Sequence, residues 1–135
     1  MPHVCWALQR GRPIIRITLA MPGTTQTAIR TLVADTGGGS LNAPFEIVLS
    51  EVDCRQFQKR LAGMAKLGGA FSGGFLTYLV WVEIPGLYFA QYVAAVAIPA
   101  AQLPQGFDGI AAFRFLNSFN YGNFGDPDQF CLETL

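Results

Sequence analysis

Apolar residues along this chain come in short β-branched runs, punctuated by glycine and proline at intervals typical of an all-β domain. Pro13 to Ala20 is one such run, and it stops at Met21-Pro22-Gly23. From Gln26 to Asp35 the side chains alternate, with Ile29, Val33 and Asp35 on one face and Arg30, Leu32 and Ala34 on the other. The two segments predict a hairpin that leads into the glycine-rich Gly37-Gly38-Gly39-Ser40. Phe45 to Leu49 predicts a further short strand. From Ser50 to Leu67 the spacing changes: Ser50, Glu51 and Asp53 supply a helix start, and Phe57, Leu61 and Met64 recur at helical intervals. This pattern predicts one amphipathic helix with that stripe in the core.

Gly68-Gly69-Ala70-Phe71-Ser72-Gly73-Gly74 interrupts the pattern, and Phe75 to Ile84 resumes as a strand rich in Val, Trp and Tyr. Pro85-Gly86 turns it into a second long strand, Leu87 to Ile98. Phe107 to Ala112 predicts a short buried strand, Phe113 to Phe119 a single helix and Tyr121-Gly122-Asn123 a turn. Gln129 to Leu135 predicts a final strand with no evident partner within the chain. The expected class is all-β with one or two short helices, in one domain spanning 1–135.

Composition narrows the function. With 135 residues, 51% hydrophobic and 13% charged, one core is affordable and disorder is excluded. Nine basic and nine acidic residues cancel without forming a basic block, so nucleic acid is not an expected partner. Zero net charge on an apolar chain favours self-association. Leu87 to Ala101, the most apolar stretch, contains Gln91 and Pro99 and falls short of the ~20 apolar residues that a membrane helix needs. Cys5, Cys54 and Cys131 cannot all pair within one chain, and none belongs to a CxxC. They are expected to be free thiols acting as small core residues in a reducing compartment, and a cytoplasmic location follows. The N-terminus lacks the layout of a signal peptide.

His3 is the one histidine and lies at an end expected to be mobile, which argues against His-dependent nucleophilic catalysis and ordinary zinc sites. Neither glycine cluster leads into Gly-Lys-Ser/Thr. No metal or other cofactor is expected. Carboxylate chemistry remains, although a domain with no chemistry would look the same.

Leu32-Val33-Ala34-Asp35-Thr36-Gly37 is an apolar strand running into Asp-Thr-Gly. Downstream come the Gly68–Gly74 cluster, then Phe107-Asp108-Gly109-Ile110-Ala111-Ala112-Phe113-Arg114-Phe115-Leu116, then the terminal strand. In that order, and with Gly11-Arg12-Pro13 ahead of them, these segments resemble the retropepsin-like (retroviral-type) aspartic peptidases over nearly the whole chain. The resemblance implies half of an acid-protease-type closed β-barrel, completed by a symmetric homodimer. It implies Asp35, Thr36 and Gly37 as the catalytic loop, with Asp35 as the carboxylate. It also implies a flap at Gly68, Gly69, Phe71, Gly73 and Gly74, and a polypeptide substrate bound extended against Val33, Gly38, Gly39 and Ile110. Asp108 would be structural, and Gln129 to Leu135 would pair with the partner chain.

Departures from the family pattern bear on activity. Gly38 stands where Ala or Ser is usual, Ala111 and Ala112 replace an apolar-Gly pair, and Gly39 removes the aspartate that would pair with Arg12. They motivate a rival from another class, a dimerising or peptide-binding module that keeps the fold without the activity. A second rival is an all-β scaffold in which Asp-Thr-Gly is accidental and Asp35 lies at the surface.

Overall fold

The computed structural model describes residues 1–67 and 73–135. The strands are β1 (His3–Ala7), β2 (Ile14–Ala20), β3 (Thr27–Ala34), β4 (Ile47–Ser50), β5 (Gln58–Lys66), β6 (Gly74–Ile84), β7 (Phe89–Ile98), β8 (Gly109–Ala111), β9 (Phe119–Gly122) and β10 (Gln129–Thr134). Two short helices, α1 (Glu51–Phe57) and α2 (Phe113–Leu116), accompany them. The chain is thus mostly β, built around a closed barrel of six strands. Around the barrel the order is β2-β3-β8-β4-β7-β6, and β6 returns to β2. The β3/β8 and β4/β7 neighbours are parallel and the rest antiparallel. β6 divides one of its edges, giving Gly74–Val80 to β5 and Trp81–Glu83 to β2.

Alternation along each strand sorts side chains between the barrel interior and its outer face. Ile15, Ile17, Leu19, Leu32, Ala34, Ile47, Leu49, Ala95, Ala97 and Ala111 point inward and form the main core with Val80, Val82 and Val93. α1 closes one end of it. Ser50 Oγ accepts the Asp53 amide at 3.1 Å as the N-cap, and Cys54 and Phe57 drop into the core. Elsewhere the core is covered by Phe115 and Leu116 of α2 with Phe119, Phe130 and Leu132, where Phe89, Phe115 and Phe119 pack with ring centroids 5.5–5.6 Å apart.

Several expectations need correction. The helix from Ser50 ends at Phe57, because Gln58 is extended and the following residues pair with β6 instead. Of the supposed stripe only Phe57 is buried, while Leu61 and Met64 are 55% and 62% exposed. A ladder of backbone bonds with β6 outweighs apolar spacing that finds nothing to pack on. Phe119 to Gly122 is a strand rather than a helix end followed by a turn, because it pairs with β10. The terminal strand does have partners inside the chain: β10 is the middle strand of a three-stranded sheet, β1-β10-β9. His3 accordingly starts a paired strand instead of a mobile end. Cys5 and Cys131 face each other in that sheet and are bonded to one another, so Cys54 is the free thiol. The expectation of a reducing setting rested on three free thiols, and two of them are spent.

Candidate functional site

Asp35 follows directly from the end of β3. Its strand is held on both sides up to the last residue: the Ala34 amide donates to the Pro13 carbonyl at 2.9 Å, and the Asp35 amide donates to Ala111 at 2.9 Å. The ladder with β8 therefore runs one residue past the strand, and alternation leaves Asp35 on the same outer face as Val33. Beyond it the loop closes on itself. Asp35 Oδ1 accepts the Gly37 amide at 3.0 Å, the Gly38 amide donates to the Asp35 carbonyl at 3.1 Å, and the Gly38 carbonyl accepts the Phe113 amide at 2.9 Å. Asp35 is half-buried, whereas Thr36, Gly37 and Gly39 are exposed.

What lies beside Asp35 on that face is an apolar floor. Register partners run Ile14, Val33, Ile110, Val48, Val96 and Thr77 across six neighbouring strands. Val48, Val96, Ile98 and Ala112 are buried there with Phe45, and Ile110 and Ala43 pack against them. The floor is covered from above by the β5–β6 hairpin, through Ala65, Leu67 and Phe75. Of the glycine cluster expected to form a flap, only Gly73 and Gly74 are described. Gly73 has φ +89, a left-handed conformation that favours glycine, and Gly74 begins β6. Gly68, Gly69 and Phe71 lie outside the described residues.

Comparison with models of protein families, with curated proteins and with solved structures finds nothing that matches this chain. The functional reading therefore rests on geometry and on the motif.

The expected site residues separate into groups. Asp35, Thr36, Gly37, Gly38 and Gly39 form one continuous loop, and Ile110 stands on the floor next to its strand. Val33 does not line an open surface; it is 2% exposed, in a small cluster with Ile14 and Phe107 against which Trp6 packs. Asp108 is structural, since its Oδ2 accepts the Thr31 amide at 2.8 Å and its own amide donates to Thr31 at 2.9 Å. Arg12 turns to Phe107, with its guanidinium carbon 5.8 Å from the ring centroid.

Other supports have no signal in the local pattern. Arg114 Nη1 donates to the Ala43 carbonyl at 3.0 Å, bracing the loop after Gly39. Glu46 ties the floor together: its carbonyl accepts the Ala112 amide at 3.0 Å and its carboxylate accepts the Ala94 amide at 2.8 Å. Trp6 reaches the cluster behind Asp35 from the far N-terminus. A motif search at Asp35 has no means of finding partners this distant in sequence.

Proposed function

We propose that this chain is one subunit of a retropepsin-like aspartic endopeptidase, in which Asp35 and its copy in a second, identical chain form the catalytic pair. One carboxylate cannot serve both roles in hydrolysing an amide without a covalent intermediate. A base must take a proton from water as it attacks, and an acid must hydrogen-bond the carbonyl oxygen. Two like carboxylates close together hold one proton between them, which supplies both roles and makes the pair titrate as a unit. The chain carries a single Asp-Thr/Ser-Gly, so the second must come from another copy, and two-fold dimers are the commonest assemblies. With β10 occupied within the chain, the edges left to a partner among the described residues include those of β1 and β9 in the small sheet and that of β5 in the large one.

The observation that carries this reading is the pairing of Asp35 with the floor. A carboxylate anchored by backbone bonds at a strand end stands beside apolar side chains that a hairpin covers. A polypeptide lying extended there would bury apolar side chains against Ile110 and its neighbours, with the hairpin opening to admit it. No cofactor is required for this chemistry.

The test is cleavage of an unfolded protein substrate at acidic pH by wild type and by Asp35→Asn, alongside sedimentation of both. Cleavage that is lost in Asp35→Asn, with the dimer retained, supports the reading. Undiminished cleavage by that variant removes Asp35 from the mechanism, and undiminished cleavage by a strict monomer removes the pair.

A second reading has its own observation. The strand expected to join a partner is already paired on both sides, and Arg12, with Gly39 in place of an acidic partner, rests on Phe107. A peptide-binding or dimerising module without catalysis fits both facts. It predicts that a statine-type peptide binds while no substrate is cut.

A further inference from the structure

The bond between Cys5 and Cys131 joins the first strand to the last across 126 residues of sequence. Its two ends differ. Cys131 lies within Phe130–Leu132, the buried centre of β10, while no residue of β1 is buried and Cys5 is half-exposed. β1 is thus held mainly by its ladder to β10, by this bond and by two side chains, Val4 and Trp6. Trp6 is the neighbour of Cys5, and it packs on the cluster of Ile14, Val33 and Phe107. Val33 lies two residues before Asp35, which follows directly from the end of the same strand, and alternation puts the two on the same face. Downstream of β1, the Gln9–Arg12 turn delivers Pro13, whose carbonyl holds the Ala34 amide at 2.9 Å. Covalent bond, Trp6, Val33 and Asp35 form one continuous path.

We propose that the Cys5–Cys131 disulfide is a redox clamp on the Asp35 loop: oxidised, it seats Trp6 behind Val33 and fixes the loop, and reduced, it lets β1 leave and the loop loosen. The step needs a dithiol reductant. Its thiolate attacks the Cys5 sulfur, on the more exposed of the two strands, the sulfur–sulfur bond breaks, and Cys131 leaves as a thiolate that takes up a proton. The reductant's second thiol then attacks the mixed disulfide, freeing Cys5 as a thiol and leaving the reductant as a cyclic disulfide. Two electrons and two protons pass to the protein. Cys54 takes no part, being wholly buried in the barrel.

The effect on activity rests on the peptidase reading, but the conformational effect does not, so the experiment reads both. Trp6 and Trp81 are the two tryptophans, and Trp81→Phe leaves Trp6 as the reporter. The full chain carrying that substitution is titrated with dithiothreitol. Trp6 emission, amide exchange over residues 3–7 and 32–34, far-ultraviolet circular dichroism and peptide cleavage are followed together. The expected result is a red-shifted Trp6 emission, exchange faster by about tenfold or more in both segments, unchanged circular dichroism and reduced cleavage. Cys5→Ser/Cys131→Ser should reproduce the reduced behaviour and ignore the reductant. Unchanged emission and exchange on full reduction overturn the clamp, as does faster exchange at 3–7 alone, which breaks the link to Asp35. Loss of circular dichroism on reduction also overturns it, because the bond is then a stability element only. Conformational changes as expected, with no cleavage in either state, support the clamp and count against the peptidase.

Discussion

Arg30 and Asp53 are joined by two parallel hydrogen bonds, Nε to Oδ2 at 2.7 Å and Nη2 to Oδ1 at 2.9 Å. The pair fastens β3, the strand that leads into Asp35, to α1 at the closed end of the barrel. Asp53 is 6% exposed, and its hydrogen bond, with a further contribution from its charge, raises the Arg30 pKa above the ordinary arginine value against the opposing effect of burial. A raised folded-state pKa contributes stability that is complete below the unfolded-state value and is lost only as pH climbs past the folded one. From the arginine side the pair is therefore constant until strongly alkaline pH. Asp53→Asn leaves the guanidinium without its counter-charge and should cost about 2–3 kcal/mol in urea unfolding near neutrality. Arg30→Lys should recover little of this, since an ammonium cannot match both oxygens. A loss below about 0.5 kcal/mol for Asp53→Asn would mean that the pair contributes nothing net.

Gly38 matters because of what its missing Cβ would touch. A methyl group there would sit 3.2 Å from Asp35 Oδ2 and 3.3 Å from Cγ, tighter than ordinary contact. The smaller residue therefore leaves room for the carboxylate. Gly38→Ala should leave stability within about 1 kcal/mol but displace the carboxylate; under the proposed peptidase function it should lower kcat more than it raises KM. Unchanged kcat would separate the position of Asp35 from the rate.

The outer and inner faces of β3 were legible in the sequence, because alternation from Ile29 to Asp35 fixes which side chains travel together. What failed was non-local. β1 escaped notice because its turn, Gln9-Arg10-Gly11-Arg12, has none of the usual Asn-Gly or Asp-Gly signal, yet Arg10 adopts φ 53 and Gly11 φ 73, as a two-residue hairpin turn requires. Without β1, the terminal strand had no visible partner and Cys5 had no reason to meet Cys131. Leu61 and Met64 misled for the opposite reason. Apolar spacing alone cannot tell a buried stripe from side chains that a strand leaves in solvent. At the candidate site, the motif singles out Asp35, but Trp6, Glu46 and Arg114, which brace its surroundings, come from segments the motif does not contain.

Gly109 occupies a place where no side chain fits. Between β3 and β4, an added Cβ would run into the Val48 carbonyl oxygen and come within 2.9 Å of Leu32 Cδ2 and 3.2 Å of Leu49 Cδ2. Backbone and core leucines cannot both retreat in a closed barrel, so Gly109→Ala should cost about 3 kcal/mol. Its neighbour Ile110 faces outward, and Ile110→Val should cost about 1 kcal/mol or less. Thermal unfolding of the two variants checks the contrast. Equal losses would mean that β8 shifts bodily, which its backbone bonds to both neighbours oppose.

Cys54 supplies a prediction in pH. Burial pushes its thiol from the ordinary 9.0 up to about 12, with the negative charge of Asp53 adding to the effect. The unfolded chain gives up this proton near pH 9, whereas the folded chain keeps it until about pH 12. Between those values the folded state binds more protons, so stability is complete below the window and falls as pH rises through it, by about 1.4 kcal/mol per pH unit from this group. The quantity to measure is the difference from Cys54→Ala, which cancels what is common to both proteins. That variant loses stability near neutrality because the packing around Cys54 is depleted, by an amount that does not vary with pH. It lacks the alkaline slope, so the gap between the two proteins should narrow steadily from pH 9 upward. A thiol reagent at pH 8 should likewise label Cys54 only after denaturant is added. A constant gap, or rapid labelling of the folded chain, would mean that α1 opens often enough to wet this thiol and that the barrel is not closed at that end.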